Sequence, residues 1–216
     1  MRRNGQLIVV GAGGHALSLA DAALSSGWTI GGFYSPEGSG PASILGPILS
    51  ELEAEDVLGR AFALGIGTNY SRELALREIT SRFPDAEIAP IIHKSAWVSP
   101  QAMVYPGATV LAHAAVGPGS TVETGALLNT GASLDHEAIL RNFASLGPGA
   151  RTGGNVTIGS RTMVGMQATI LQGITVGNDV VVGANSLVQE DVESNSVTFG
   201  IPARVVRTRL NDDPYY

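Results

Sequence analysis

One apolar residue recurs at every sixth position from Ile92 to Val188, without a slip of register. Thr152 is the one polar residue in this series. A helix repeats about every 3.6 residues and a strand every 2, so neither explains a period of six. A hexapeptide repeat builds a parallel β-helix, in which three short strands form each coil. The second half of the chain is therefore predicted to be a stacked solenoid.

Composition narrows the class of protein. Of the 216 residues, 44% are hydrophobic and only 15% are charged, which suits coils that hide most side chains against their neighbours. The net charge of -6 argues against a nucleic-acid partner, and the lack of cysteine excludes a disulfide framework. The apolar run Leu7–Val10 is too short for a signal peptide, and no stretch is long enough to span a membrane. These features predict a cytoplasmic protein without nucleic-acid or membrane partners.

The first half of the chain has a different pattern. Strand signals at Leu7–Val10, Ile30–Tyr34 and Ala61–Ile66 alternate with helix signals at Leu17–Leu24 and Tyr70–Phe83. The second helix carries alternating Arg and Glu, which indicates a surface helix. Alternating strands and helices predict a small parallel sheet of the Rossmann type, that is, an α/β domain. We therefore divide the chain into an α/β domain (1–90), a β-helix (91–203) and a polar tail (204–216).

A glycine-rich turn, Gly11–Ala16, follows the first strand and opens a helix. Its G-x-G-x-x-A spacing lets backbone amides approach a phosphate at the helix N-terminus, with His15 as a further donor. The pattern favours a nucleotide diphosphate, although a tight turn without ligand and an NAD site remain alternatives. NAD would want an acidic residue at the end of the second strand, where Tyr34 and Ser35 stand and Glu37 follows in a loop.

A second glycine cluster, Gly65–Asn69, follows the third strand. Because the carboxyl ends of parallel strands share one edge of a sheet, both clusters are predicted to line one crevice.

His136 is the candidate for chemistry in the solenoid. The hexad register directs Leu134 and Ala138 inward, so His136 is expected on the outer surface or at a corner. It stands between Asp135 and Glu137, and a carboxylate can fix the tautomer of an imidazole and raise its basicity. The pattern favours a general base, with a solvated surface histidine as the alternative.

The other histidines of the solenoid, His93 and His113, are expected to be structural. They precede His136 by 43 and 23 residues, without cysteine, which does not match the usual spacing of zinc ligands. We therefore predict no metal site. The polar Asn129 lies one hexad before His136.

Four segments together resemble the PglD/NeuD-like sugar acetyltransferases over almost the whole chain. They are V-G-A-G-G-H-A at 10–16, Asn129–Ala132 with Asp135–Glu137, Gly147–Ala150, and Gly200–Arg204. The resemblance implies a left-handed parallel β-helix, a homotrimer and acetyl-CoA as donor. It also implies a nucleotide-linked amino sugar as acceptor, held by the N-terminal domain.

The resemblance also implies roles for individual residues. His136 matches the catalytic base of the family and Glu137 the carboxylate that supports it. Substrate contacts are implied at Gly13, Gly14, His15, Tyr34, Ser35, Gly67 and Asn129. Acetyl-CoA contacts are implied at Ser145, Gly154, Met166 and Ala184, with the amide of Gly154 facing the thioester oxygen.

Two positions depart from the family pattern. Family members commonly have a second histidine where this chain has Ser145, which is expected to alter coenzyme binding more than chemistry. They also commonly end the second strand in two aspartates, where this chain has Tyr34 and Ser35. The second departure leaves the identity of the nucleotide base open.

The sequence thus favours acetyl transfer from acetyl-CoA to the amine of a nucleotide-activated amino sugar. Acetylation of a sugar hydroxyl, as on a sialic acid, and a non-catalytic trimeric scaffold are the alternatives. Thr152 lies one coil of 18 residues after Leu134, beside Gly153 and Gly154. The one lapse in the repeat is therefore expected near the thioester.

Overall fold

The N-terminal domain is built on a small parallel sheet. In a computed structural model, which describes residues 5–210, 213 and 215, the strands are β1 (Gln6–Val10), β2 (Thr29–Tyr34), β3 (Ile48–Leu49) and β4 (Arg60–Leu64). They are parallel in the order β3-β2-β1-β4. The predicted strands and the Rossmann-like arrangement are confirmed, and β3 is an addition that its two residues were too short to signal.

Three helices belong to this domain: α1 (Gly14–Ser25), α2 (Ala54–Val57) and α3 (Asn69–Arg82). Helix α1 begins inside the glycine-rich turn, and α3 begins directly after the second glycine cluster, as their positions in the sequence predict. A short 3-10 helix, Pro41–Ile44, interrupts the loop after β2.

The hexads form seventeen strands of two residues each, every one ending at an inward position of the repeat. They are β5 (Ile91–Ile92), β6 (Trp97–Val98), β7 (Met103–Val104), β8 (Thr109–Val110), β9 (Ala115–Val116), β10 (Thr121–Val122), β11 (Leu127–Leu128), β12 (Ser133–Leu134), β13 (Ile139–Leu140), β14 (Ser145–Leu146), β15 (Arg151–Thr152), β16 (Thr157–Ile158), β17 (Met163–Val164), β18 (Thr169–Ile170), β19 (Thr175–Val176), β20 (Val181–Val182) and β21 (Leu187–Val188). Leu134 and Ala138 lie in the core, as predicted.

Every third strand stacks in parallel, which gives the solenoid three flat faces. The first face contains β5, β8, β11, β14, β17 and β20; the second contains β6, β9, β12, β15, β18 and β21; the third contains β7, β10, β13, β16 and β19. The chain turns a corner between each face and the next. Residues 18 apart therefore occupy equivalent places on successive coils.

Each corner contains one residue in the left-handed region, three places after the inward side chain. Glycine takes this place at Gly107, Gly119, Gly125, Gly131, Gly149 and Gly173. The other corners bring His113, Glu137, Phe143, Asn155, Arg161, Gln167, Asp179 and Asn185 into it, with φ between 54° and 59°. A non-glycine residue here costs backbone energy, so Glu137 is held in an unusual conformation by the surrounding coils.

The solenoid closes with a hairpin. Strand β22 (Ser196–Gly200) continues the first face and pairs antiparallel with β23 (Ala203–Thr208). The chain thus remains in the sheet to Thr208, where the sequence predicted a polar tail from residue 204. Residues 211, 212, 214 and 216 of that predicted tail lie outside the described residues, and the domain limits at 90 and 203 stay a prediction.

The N-terminal domain packs against the first face of the solenoid. Ile91, Leu111 and Leu127 join the same apolar cluster as Ala16 and Ala20 of α1. Helix α3 was predicted to be a surface helix, and this was wrong for one of its sides. Asn69, Arg72 and Glu73 are buried against the corner between the third and first faces, because they hydrogen-bond to the solenoid there.

Candidate active site

A cleft of about 520 Å³ lies at the carboxyl ends of β1 and β2. Its lining includes Gly13 from the first glycine cluster, Tyr34 and Ser35 from the end of β2, and Ile66 from the second cluster. The amide of Gly65 donates to the carbonyl of Val10 (2.8 Å), which fixes the two clusters side by side. The prediction of one shared crevice is confirmed.

The side chains at the end of β2 are held by partners that the sequence did not indicate. The hydroxyl of Tyr34 donates to Oε1 of Glu78 (2.9 Å) and accepts from Arg82 (3.1 Å), both on α3. The hydroxyl of Ser35 donates to Oε2 of Glu37 (2.6 Å), and this bond lowers the pKa of Glu37. Glu37 therefore lines the cleft, although the sequence assigned it to the loop beyond it.

His15 lies at the start of α1 with its ring turned inward. Its Nε2 is buried and has no hydrogen-bond partner among residues 5–210, 213 and 215. Burial, with a smaller contribution from the charge of Arg72, lowers the pKa of His15 from 6.5 to about 4. A Cβ added at Gly67 would stand 3.5 Å from Cβ of His15, so the two predicted substrate contacts are neighbours.

The candidate base stands at the corner between the second and third faces. The side chain of His136 is 45% exposed and that of Glu137 is 73% exposed. Nδ1 of His136 lies 3.2 Å from Oε2 of Glu137, while the amide of His136 donates to Oδ1 of Asp135 (2.7 Å). With its proton on Nδ1, the ring offers the lone pair of Nε2.

Two glycines make room for His136 from the coils on either side. A Cβ at Gly117 would lie 2.6 Å from the amide nitrogen of His136. A Cβ at Gly154 would overlap the Cε1 and Nε2 atoms of the ring, so the imidazole rests directly on the backbone of Gly154. The predicted proximity of His136 and Gly154 is therefore present in the structure.

Other predicted contacts lie elsewhere on the solenoid. Asn129, Met166 and Ala184 stand at the corner between the first and second faces, across the second face from His136. Ser145 lies on the first face and is only 2% exposed, with its hydroxyl donating to the sulfur of Met163 (3.0 Å). One chain thus does not bring Asn129 or Ser145 beside His136.

A search of the described residues for three or more His, Asp or Glu side chains grouped as a metal site found none. Among the same residues, no helix has the length and hydropathy needed to cross a membrane.

Both halves of the chain match known families. The PglD N-terminal domain matches residues 6–79, and the bacterial transferase hexapeptide family matches residues 155–190. The chain is also similar to a histidine-to-alanine variant of GDP-perosamine N-acetyl transferase from Caulobacter crescentus, solved with CoA and GDP-perosamine. That similarity has a TM-score of 0.87 and 27% identity, and it covers 94% of this chain and 97% of the other. The chain belongs to the PglD/NeuD-like sugar acetyltransferases.

Further similarities agree with this family. The acetyltransferase domain of PglB from Neisseria gonorrhoeae FA1090, solved with acetyl coenzyme A, has a TM-score of 0.84 and 29% identity, with 93% of this chain and 98% of that chain covered. The predicted fold, an α/β domain followed by a left-handed parallel β-helix, is confirmed.

Curated relatives match a shorter segment. Galactoside O-acetyltransferase from Escherichia coli K12 is 38% identical over 61 residues, which are 28% of this chain and 30% of the relative. The match therefore spans less than a third of the length of that curated relative.

Proposed function

We propose that this protein transfers an acetyl group from acetyl-CoA to the amine of a nucleotide-linked amino sugar. The observation that carries the proposal is the exposed imidazole of His136, which bonds to Glu137 through Nδ1 and rests on the backbone of Gly154. That geometry leaves Nε2 as the basic atom at an accessible corner. The N-acetyltransferase similarity over nearly the full chain gives the acceptor class.

The proposed reaction needs one base and one oxyanion donor. The neutral amine attacks the thioester carbonyl carbon while Nε2 of His136 accepts the amine proton, and Glu137 stabilises the resulting imidazolium. The amide of Gly154 is proposed to stabilise the oxyanion. The intermediate then collapses with cleavage of the C–S bond, and the leaving thiolate takes up a proton to give CoA and the amide.

The acceptor is proposed to bind in the cleft of the N-terminal domain. Gly13 and Gly14 begin a helix of 12 residues, whose free amides and dipole favour a diphosphate. The buried Nε2 of His15 lacks a partner in the described part of the chain, and a phosphate oxygen would provide one. Tyr34, Ser35 and Gly67 are proposed to contact the rest of the nucleotide sugar.

The donor and the assembly complete the proposal. Met166, Ala184 and Ser145 are proposed to contact acetyl-CoA, although Ser145 is buried and would require a shift of its surroundings. Because Asn129 and Met166 stand across the second face from His136, we infer that a second copy of the chain completes each site, as in a homotrimer. Light scattering should then give three times the mass of one chain. A cytoplasmic location remains part of this proposal.

The test is turnover of His136→Ala. Nucleotide-linked amino sugars are screened with acetyl-CoA, and thiol release is followed. General-base catalysis contributes about 10²–10⁴-fold in rate, so the variant should lose that much in kcat and keep its circular dichroism spectrum. Turnover close to that of the wild type would refute the role of His136. Failure of the wild-type protein to bind CoA would instead favour a non-catalytic scaffold.

Acetylation of a sugar hydroxyl is the second candidate, supported by the similarity to galactoside O-acetyltransferase. A hydroxyl is a weaker nucleophile than a neutral amine, so His136 would then be needed more. Parallel assays with sialic acid and with nucleotide-linked amino sugars separate the two, because each hypothesis predicts turnover of one acceptor class.

A further inference from the structure

The strand ladder of the solenoid is irregular beside His136. Elsewhere, the amide after an inward residue donates to a carbonyl one coil further on, as Asn129 does to Leu146 (2.9 Å) and Gly153 to Ile170 (2.8 Å). The amide of Asp135 instead donates to the hydroxyl Oγ1 of Thr152 (3.2 Å). Strand β12 accordingly pairs with β15 at Ser133 and Arg151 alone.

The irregularity follows from the lapse in the hexad repeat. Thr152 occupies a position that is apolar in every other coil, and it is 6% exposed. A buried hydroxyl needs a hydrogen-bond partner, and the amide of Asp135 is the one that it takes. A single polar side chain in the core therefore changes the hydrogen bonding of the turn that carries His136.

A second hydroxyl holds the same turn from the preceding coil. Oγ of Ser120 donates to the carbonyl of Asp135 (2.5 Å) and accepts from the amide of Ala138 (3.1 Å). Asp135 is thus fixed at both its amide and its carbonyl by side-chain hydroxyls, one from each neighbouring coil.

Asp135 passes this constraint directly to His136. Its Oδ1 accepts from the amide of His136 (2.7 Å), and the carbonyl of His136 accepts from the amide of Asn155 (2.8 Å). Every backbone polar group from the amide of Asp135 to the carbonyl of His136 therefore has a defined partner. The imidazole projects from a rigid turn, although its own side chain is half exposed.

We propose that Thr152 is a positioning residue for His136. Its hydroxyl holds Asp135 away from the regular ladder and so sets where the imidazole meets the backbone of Gly154. Thr152 touches no reacting atom in this proposal. The activity readout rests on the proposed acetyl transfer, whereas the structural readout does not.

Thr152→Val tests the proposal because it restores the hexad rule. The amide of Asp135 should then bond to the carbonyl of residue 152, and His136 should move relative to Gly154. A displacement of about 1 Å can cost about 10²-fold in rate, so we expect that loss in kcat with the KM for acetyl-CoA unchanged. Thr152→Ser keeps the hydroxyl and should recover most of the lost kcat.

Thr162→Val is the matched control. Thr162 is also buried, and its hydroxyl also bridges two coils, donating to Gly177 (2.6 Å) and accepting from Val180 (3.0 Å). It lies at a different corner from His136, so its loss should lower the melting temperature without changing the imidazole. If both valine variants reduce kcat equally, general destabilisation explains the effect and the proposal is wrong.

Nuclear magnetic resonance of labelled histidine supplies the independent readout. The His136 signals, assigned by their loss in His136→Ala, should change tautomer and titration midpoint in Thr152→Val and remain as in the wild type in Thr162→Val. An unchanged His136 imidazole in Thr152→Val would overturn the proposal whatever the activity. If the wild type transfers no acetyl group, the proposed function fails, while this measurement still decides the role of Thr152.

Discussion

The buried imidazole of His15 should make the N-terminal domain lose stability in mild acid. Burial lowers the pKa of His15 to about 4, against 6.5 for an exposed histidine. A group whose pKa is lower in the folded state gives its full stabilisation above its unfolded pKa. That stabilisation is lost as the pH falls from 6.5 towards 4, because the unfolded chain then binds the proton more readily.

The size of the effect follows from the two pKa values. One pKa unit corresponds to about 1.4 kcal/mol, so the full difference amounts to about 3 kcal/mol. Integration of the proton linkage gives about 2 kcal/mol lost between pH 8 and pH 5. His15→Leu cannot bind this proton, so its free energy of unfolding should fall by about 2 kcal/mol less than that of the parent over the same range.

The measurement uses urea unfolding at pH 8 and pH 5. Trp97→Phe serves as the parent protein, because it leaves Trp28, which packs against the apolar cluster of α1, as the one tryptophan. Ala20→Gly is the control, since it weakens the same helix without removing a titrating group and should keep the parent's pH dependence. Equal pH dependence of His15→Leu and its parent would refute a buried neutral imidazole.

Two further substitutions test contacts that join the site to the fold. Gly154→Ala puts a methyl group where the ring of His136 lies, so kcat should fall about 10²-fold in the thiol-release assay. Gly31→Ala, whose Cβ meets no atom nearer than 3.5 Å, should leave kcat unchanged, and equal losses in both would contradict the steric argument. Arg72→Met leaves several buried carbonyls without a donor and should cost at least about 3 kcal/mol in urea unfolding, most of which Arg72→Ala should also lose. A cost below about 1 kcal/mol would contradict the assigned role of Arg72.

The register of the solenoid could be predicted residue by residue, because a six-residue period repeats one local geometry. It directed Leu134 and Ala138 into the core and put His136 at a corner, and the structure confirms these positions. It could not show that the imidazole rests on Gly154, since that contact depends on how turns one coil apart align.

The contacts of α3 could not be predicted, because its polar side chains follow the pattern of a solvated helix. Glu78 and Arg82 are spaced like an ordinary surface ion pair, yet both reach Tyr34 at the cleft. Glu73 is buried beside Arg161, which also pairs with Asp179. These partners come from distant coils, so no local pattern in the sequence contains them.

Arg72 explains how the cleft is held in a fixed relation to the solenoid. Its guanidinium donates to the carbonyls of Ile66 and Gly67 on one side, and to those of Gly125 and Phe143 on the other. The first pair belongs to the loop beside His15, and the second pair belongs to two successive coils. Because transfer between two bound substrates depends on their alignment, a residue that ties the acceptor loop to the coils limits the motions that would separate them. The buried charge is costly, since burial lowers the pKa of Arg72 to about 10, and all its N–H groups are used to offset that cost.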